Sequence, residues 1–216
     1  MRVVHFLILA LLLLLFPLSG KTYAAAYDLQ SRFALIIPVS VSDGWQIRTG
    51  FTRIYFNDIS ELELQAFFAG PYYRISSGLK TGLEYRYMDK QINGQWVPEN
   101  RLSSVFVLNK RFSPWSLLVR KRLEYRSRSK GYGIEWRGRS FIKIALSNKG
   151  ITPYLSNELF YNLSEGEMNR NKFKVGLDIP IVKELKTGIH YEYETEKFSK
   201  NWEGLNIIGT SLVLVL

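Results

Sequence analysis

From Leu117 to Arg126 the chain keeps a beat of two: Leu118, Arg120, Arg122, Glu124 and Arg126 alternate with a second set that contains Leu117, Val119, Leu123 and Tyr125. Side chains alternate between faces only along an extended strand, whereas helical spacing would mix the two classes. The beat recurs in segment after segment almost to the C-terminus. The chain is therefore expected to be all-β, with a charged face and an apolar face on one sheet. The arrangement that best accommodates such a sheet is an antiparallel, up-and-down transmembrane β-barrel.

The N-terminus points to export. Arg2 is followed by an apolar run from Phe6 to Leu18, and Ala24, Ala25 and Ala26 are the small residues of a cleavage site. Residues 1–26 are read as a cleaved signal peptide and 27–216 as one barrel domain. The run is shorter than the ~20 residues a spanning helix needs. Loss of Arg2 and Lys21, with no acid lost, lowers the formal charge from +10 to +8. The chain has no cysteine, so neither disulfides nor thiolate metal sites are available. A closed sheet leaves no unpaired edge in hydrocarbon and supplies the missing constraint.

Candidate strands run over 27–40, 45–56, 60–75, 79–90, 99–110, 115–127, 133–147, 151–163, 171–181, 185–196 and 205–216. Bacterial barrels have an even number of strands. The segment 27–40 alternates poorly and contains Pro38, which lacks a ladder donor. Ten spanning strands are expected, with 27–40 inside or capping the barrel, and twelve as the alternative. Tight connections at 76–78, 111–114, 148–150 and 182–184 alternate with longer polar ones at 91–98, 164–170 and 197–204. That pattern matches short periplasmic turns and longer outer loops.

Charge decides which face meets lipid, because an Arg at the bilayer midplane costs ~2–4 kcal/mol. A lumen charge network is predicted from Glu84, Arg86, Arg120, Arg122, Glu124, Arg126, Glu135, Arg137, Arg139, Glu158, His190 and Glu192. Glu61, Glu63, Arg101 and Lys143 share the polar parity. Leu62, Leu64, Phe68, Leu83, Leu123, Trp136, Ile142, Leu159, Leu177 and Ile189 are expected to face outward, with Tyr85, Tyr87, Tyr161 and Tyr191 near the interface. A water-soluble barrel with the apolar face inward is the alternative. The predominance of Arg over Lys on the polar face favours the membrane form, since a confined lumen rewards the planar Arg fork.

Function is less legible. Paired charges in a narrow lumen satisfy each other first and set selectivity second. His190 shares a face with Glu192 and Glu194, which offers a His-carboxylate pair for base chemistry, but no serine has a nucleophile's context. No catalytic residue, cofactor or metal is assigned. Export and the dispersal of basic residues over strands argue against a nucleic-acid role. Arg128, Lys130, Arg170, Lys172, Lys197 and Lys200 are expected on loops facing anionic lipid or surface polysaccharide.

The stretches Gly82-Leu83-Glu84-Tyr85-Arg86-Tyr87, Arg120-Lys121-Arg122-Leu123-Glu124-Tyr125-Arg126 and Trp136-Arg137-Gly138-Arg139 stand in an order known elsewhere. With Pro153, Asn157-Glu158-Leu159-Phe160-Tyr161-Asn162 and Asn169-Arg170 before Gly176-Leu177, they resemble the bacterial domain of unknown function 2490. The resemblance implies an outer-membrane β-barrel and carries over no catalytic residue. The expected protein is a monomeric structural or passive surface component of the outer membrane with a charged, occluded lumen. Its partners would be outer-membrane lipid, lipopolysaccharide and the barrel insertion machinery. The alternatives are a narrow channel for a small solute, a lipid-modifying enzyme, and a soluble carrier of apolar ligands.

Overall fold

The computed structural model describes residues 29–129, 133–146, 150–198 and 201–216. The predicted signal peptide lies outside the described residues. Eleven strands follow one another: β1 (Leu29–Ser42), β2 (Trp45–Phe56), β3 (Glu61–Arg74), β4 (Leu79–Ile92), β5 (Gln95–Phe112), β6 (Trp115–Arg128), β7 (Ile134–Leu146), β8 (Thr152–Asn162), β9 (Glu167–Pro180), β10 (Leu185–Phe198) and β11 (Asn201–Leu214). Each pairs antiparallel with the next, and β1 meets β11 to close the barrel. Among the described residues no helix is long and apolar enough to cross a membrane, which says nothing of crossing by strands.

The expected count of ten is corrected to eleven, because the segment beginning near residue 27 is a strand of the wall. An odd ring of hairpins leaves its first and last strands running the same way, and β1 and β11 pair in parallel from Leu29↔Asn206 to Ile36↔Val213. Pro38 is tolerated just past the last of these ladder pairs. Its carbonyl accepts from the Leu216 N–H at 3.1 Å, and Ser40 N–H donates to the Leu216 carbonyl at 3.1 Å. Alternation is poor in β1 because its inward positions include Ala34 and Ile36, which line an apolar sector of the lumen.

The connections expected to be long are short. Ile92 pairs with Gln95, so only Asn93 and Gly94 form the turn, at φ of 52° and 74°. Two left-handed residues give the turn whose twist matches a hairpin. Phe198 likewise pairs with Asn201, and β9 begins at Glu167. Polar residues read as loop belong to strands whose inner face is itself polar.

Outward residues form an apolar belt. Leu83, Leu123, Trp136, Ile142, Leu159, Leu177 and Ile189 are all exposed. Tyr85 and Tyr191 donate from their hydroxyls to Asn100 (2.6 Å) and Asn206 (2.5 Å), each diagonally across a strand pair. Leu64 and Phe68 depart from expectation and face the lumen. A β-bulge is the cause: Ile54 pairs with Leu64 but Tyr55 with Leu62, leaving Glu63 as the extra residue. One extra residue flips the parity of everything beyond it. Glu61, the first residue of β3, is exposed beside the turn rather than luminal and accepts from Asn57.

Candidate functional site in the barrel lumen

Inward positions along β4 to β10 are dominated by Arg, Lys and Glu. All twelve residues of the predicted network lie on this inner face: Glu84, Arg122, Glu124, Arg126, Arg137, Glu158, His190 and Glu192 are buried, and Arg86, Arg120, Glu135 and Arg139 are half-buried. The apolar face points outward, so the arrangement required for an apolar-ligand cavity is not the one observed.

Strand register would place like charges opposite one another. Arg86 faces Arg101, Arg101 faces Arg126, and Arg122 faces Arg139. Directly opposed like charges destabilise a sheet. The side chains avoid this by pairing with carboxylates two residues along their own strand, diagonally across to the next, or directly opposite. Arg86 reaches Glu84 (2.9 Å), Arg101 binds Glu99, and Arg139 bridges Glu124 (2.7 Å) and Glu158 (2.9 Å). Arg126 grips both oxygens of Glu99 at 2.8 and 2.9 Å and reaches Glu135 at 2.9 Å. Such bidentate pairs are the strongest ionic hydrogen bonds available to side chains. Arg137 also binds Glu135, through Nη2 at 3.0 Å, and Arg120 binds Glu158 at 3.0 Å.

A second cluster spans β9, β10 and β1. Glu192, fully buried, accepts from Arg32 (2.5 Å) and Lys172 (3.4 Å) and forms an ion pair with Lys174. Glu194 pairs with Lys172 and with Arg170 (3.1 Å). Arg170 and Lys172 had been expected on surface loops, as had Arg128. All three are instead strand residues facing inward, Arg128 holding Glu99 and Glu135 at 2.8 Å each. Lys197 pairs with Glu167 across the β9–β10 hairpin, while Lys130 and Lys200 lie outside the described residues. Glu99, Glu194, Arg32 and Arg48 were missed as network members. Parity alone would have found the first two; the others sit on strands whose inner faces are otherwise apolar or small.

Rings fill another row of the lumen. Tyr154, Gly176, His190 and Gly209 are successive cross-strand partners on β8 to β11. A Cβ on Gly176 would lie 2.7 Å from both the Tyr154 ring and the His190 Cβ. Glycine there makes room for the rings. Lys143 caps the row, its Nζ 3.6 Å above the Tyr154 ring and 2.5 Å from Asp178. His190 Nε2 stands 3.9 Å from Glu192 Oε2, beyond hydrogen-bond reach, and has no hydrogen-bond partner among the described residues. The packed imidazole therefore lacks the hydrogen-bonded orienting carboxylate that base chemistry uses. Among the described residues no group of three or more His, Asp or Glu could hold a metal ion.

Inside the network lies a cavity of about 260 Å³. Its lining runs from Gln30, Ile54 and Glu196, near the rim where β1 begins, to Arg48 and Arg120 deeper in the barrel. Ala34, Ile36, Ala66 and Phe68 form one side, and the arginines of β4 to β9 form the other.

No curated protein matches the chain. A family model described as a protein of unknown function, DUF2490, matches residues 30–204. That span reaches from β1 into β11 and includes every member of the lumen network, and the chain belongs to the DUF2490 family.

Proposed function

We propose that this protein is a monomeric outer-membrane barrel and a structural or passive surface component, with a lumen closed to bulk flow by its own ion pairs. The observation that carries the reading is the inversion of the usual soluble pattern: carboxylates and guanidiniums are buried while large apolar side chains are exposed on every side of the barrel. A soluble monomer rarely exposes a contiguous apolar patch beyond a few hundred Å². Hydrocarbon is the solvent that favours such a belt, and closed strand pairing satisfies the backbone there. Outer-membrane lipid and lipopolysaccharide would surround the belt, and the barrel insertion machinery would place it.

Closure of the lumen is supported by the same side chains. Hydrogen-bonded ion pairs along β4 to β10 and the row of Tyr154 and His190 occupy the interior, and opening a path for ions would break buried pairs. The test is fractionation of native envelopes with a gel comparison of unboiled and boiled samples, followed by planar-bilayer recording. A heat-dependent mobility shift in the outer-membrane fraction with no stable single-channel steps is expected. Reproducible steps would replace closure with a narrow channel, and a soluble periplasmic protein would overturn the location.

A further inference from the structure

The wall of the luminal cavity is unbalanced: twelve cationic side chains and five carboxylates line it. The imbalance is sharpest around Arg48, Arg86, Arg120, Arg122 and Arg139. Three carboxylates, Glu84, Glu124 and Glu158, answer these five guanidiniums. Among the described residues Arg48 makes no ion pair with a carboxylate and instead lies 5.9 Å from the Phe68 ring centre and 5.8 Å from that of Tyr72. Arg122 is only 7% exposed yet makes no hydrogen bond, its nearest carboxylate oxygens lying 3.7 Å away on Glu84 and 3.9 Å away on Glu124.

Three of these guanidiniums also carry an idle donor. The Nε–H groups of Arg120, Arg122 and Arg139 are buried and find no acceptor among the described residues. Buried donors are ordinarily satisfied, and a guanidinium presents its N–H groups as a planar fork suited to oxyanions. Glu84, Glu124 and Glu158 already face several arginines each, so none of the three is left to serve these arginines alone. The one idle oxygen among them, Glu124 Oε2, has Arg101 3.8 Å away.

We propose that this cavity binds a small soluble oxyanion, a phosphate or phosphate monoester, between Arg48, Arg120, Arg122 and Arg139. A doubly charged tetrahedral group would cancel the two positive charges left over and accept from the guanidinium forks that line the cavity. At roughly 30 Å³ per water, the cavity holds several waters' worth of space, enough for the anion and a compact substituent. The apolar side formed by Ala34, Ile36 and Ala66 would meet that substituent. The lumen need not conduct for the site to fill from the rim where β1 begins.

Titration calorimetry of the full barrel in detergent tests this, with sodium phosphate added at constant ionic strength against sodium chloride. Saturable binding is expected, weakened by roughly tenfold or more in Arg48→Gln, the loss typical of one charged hydrogen bond. Arg48 has no carboxylate to strand, so this variant should keep its heat-dependent gel shift. Arg122→Lys keeps the charge but loses the fork and should weaken binding as well. Absence of saturable binding to the wild type would overturn the proposal, as would binding indifferent to both substitutions. Binding to dihexanoyl phosphatidic acid without binding to inorganic phosphate would assign the site to a lipid headgroup and overturn the soluble anion.

Discussion

His190 on β10 stands directly opposite Gly209 on β11, and a single Cβ on that glycine would sit 2.1 Å from the imidazole Nε2. The ring occupies the space a side chain would need. Gly209→Ala is therefore expected to destabilise the barrel by about 1–3 kcal/mol, the usual cost of overpacking. Combining it with His190→Ala should recover part of the loss, a non-additivity read from urea unfolding of the four proteins in a double-mutant cycle.

Glu192 is a fully buried carboxylate with Arg32, Lys172 and Lys174 all directed at it. Replacing it with Gln leaves buried cations without their counter-charge. Removing one partner of a buried pair costs about 3–5 kcal/mol. Glu184→Gln, at an exposed turn, should stay within ~0.5 kcal/mol, as surface changes usually do. Equal effects in the two variants would show that the luminal pairs contribute no more than a surface charge.

The turn between β2 and β3 carries three consecutive residues at positive φ, Asn57, Asp58 and Ile59. For the first two this is ordinary; for β-branched Ile59, at φ 68°, it is strained. Since the side chain is exposed, Ile59→Gly should relieve the strain without opening a cavity and stabilise by about 1 kcal/mol. A rise in the temperature of the heat-dependent gel shift checks it.

Leu123 lies outside and Arg122 inside, one residue apart on β6. Leu123→Arg should cost about 2–4 kcal/mol if the belt faces the bilayer midplane and almost nothing if it faces water. Refolding into lipid vesicles, compared with the Lys121→Arg variant as an exposed control, reads the difference.

Legibility differed along the chain for physical reasons. Between β4 and β8 the inner face is charged and the outer apolar, so parity alone assigns Arg120, Glu124, Arg139 and Glu158 to the lumen. In β1 the inner Ala34 and Ile36 resemble the outer Phe33 and Leu35, and the beat vanishes although the strand is real. Glu63 shows a second limit. A bulge adds one residue without any mark in composition, and it turned Phe68 from the outer side to the arginine side. The Asn93-Gly94 pair did carry a hairpin signal, which the surrounding polar residues obscured. The match of β1 to β11 joins residues at opposite ends of the sequence, and no local pattern announces it. Diagonal pairing such as Arg126 with Glu99 was equally invisible, because parity says which side chains share a lumen and not which oxygen each will find.

The parallel seam has a consequence for the chain's ends. β1 and β11 set out from the same rim, so the polypeptide enters the wall at that rim and leaves it at the other. An even ring of hairpins would return both termini to one compartment. Here a peptide tag placed ahead of Leu29 and another placed after Leu216 would emerge on opposite sides of whatever layer the barrel crosses, and a protease applied to one side would remove only one of them.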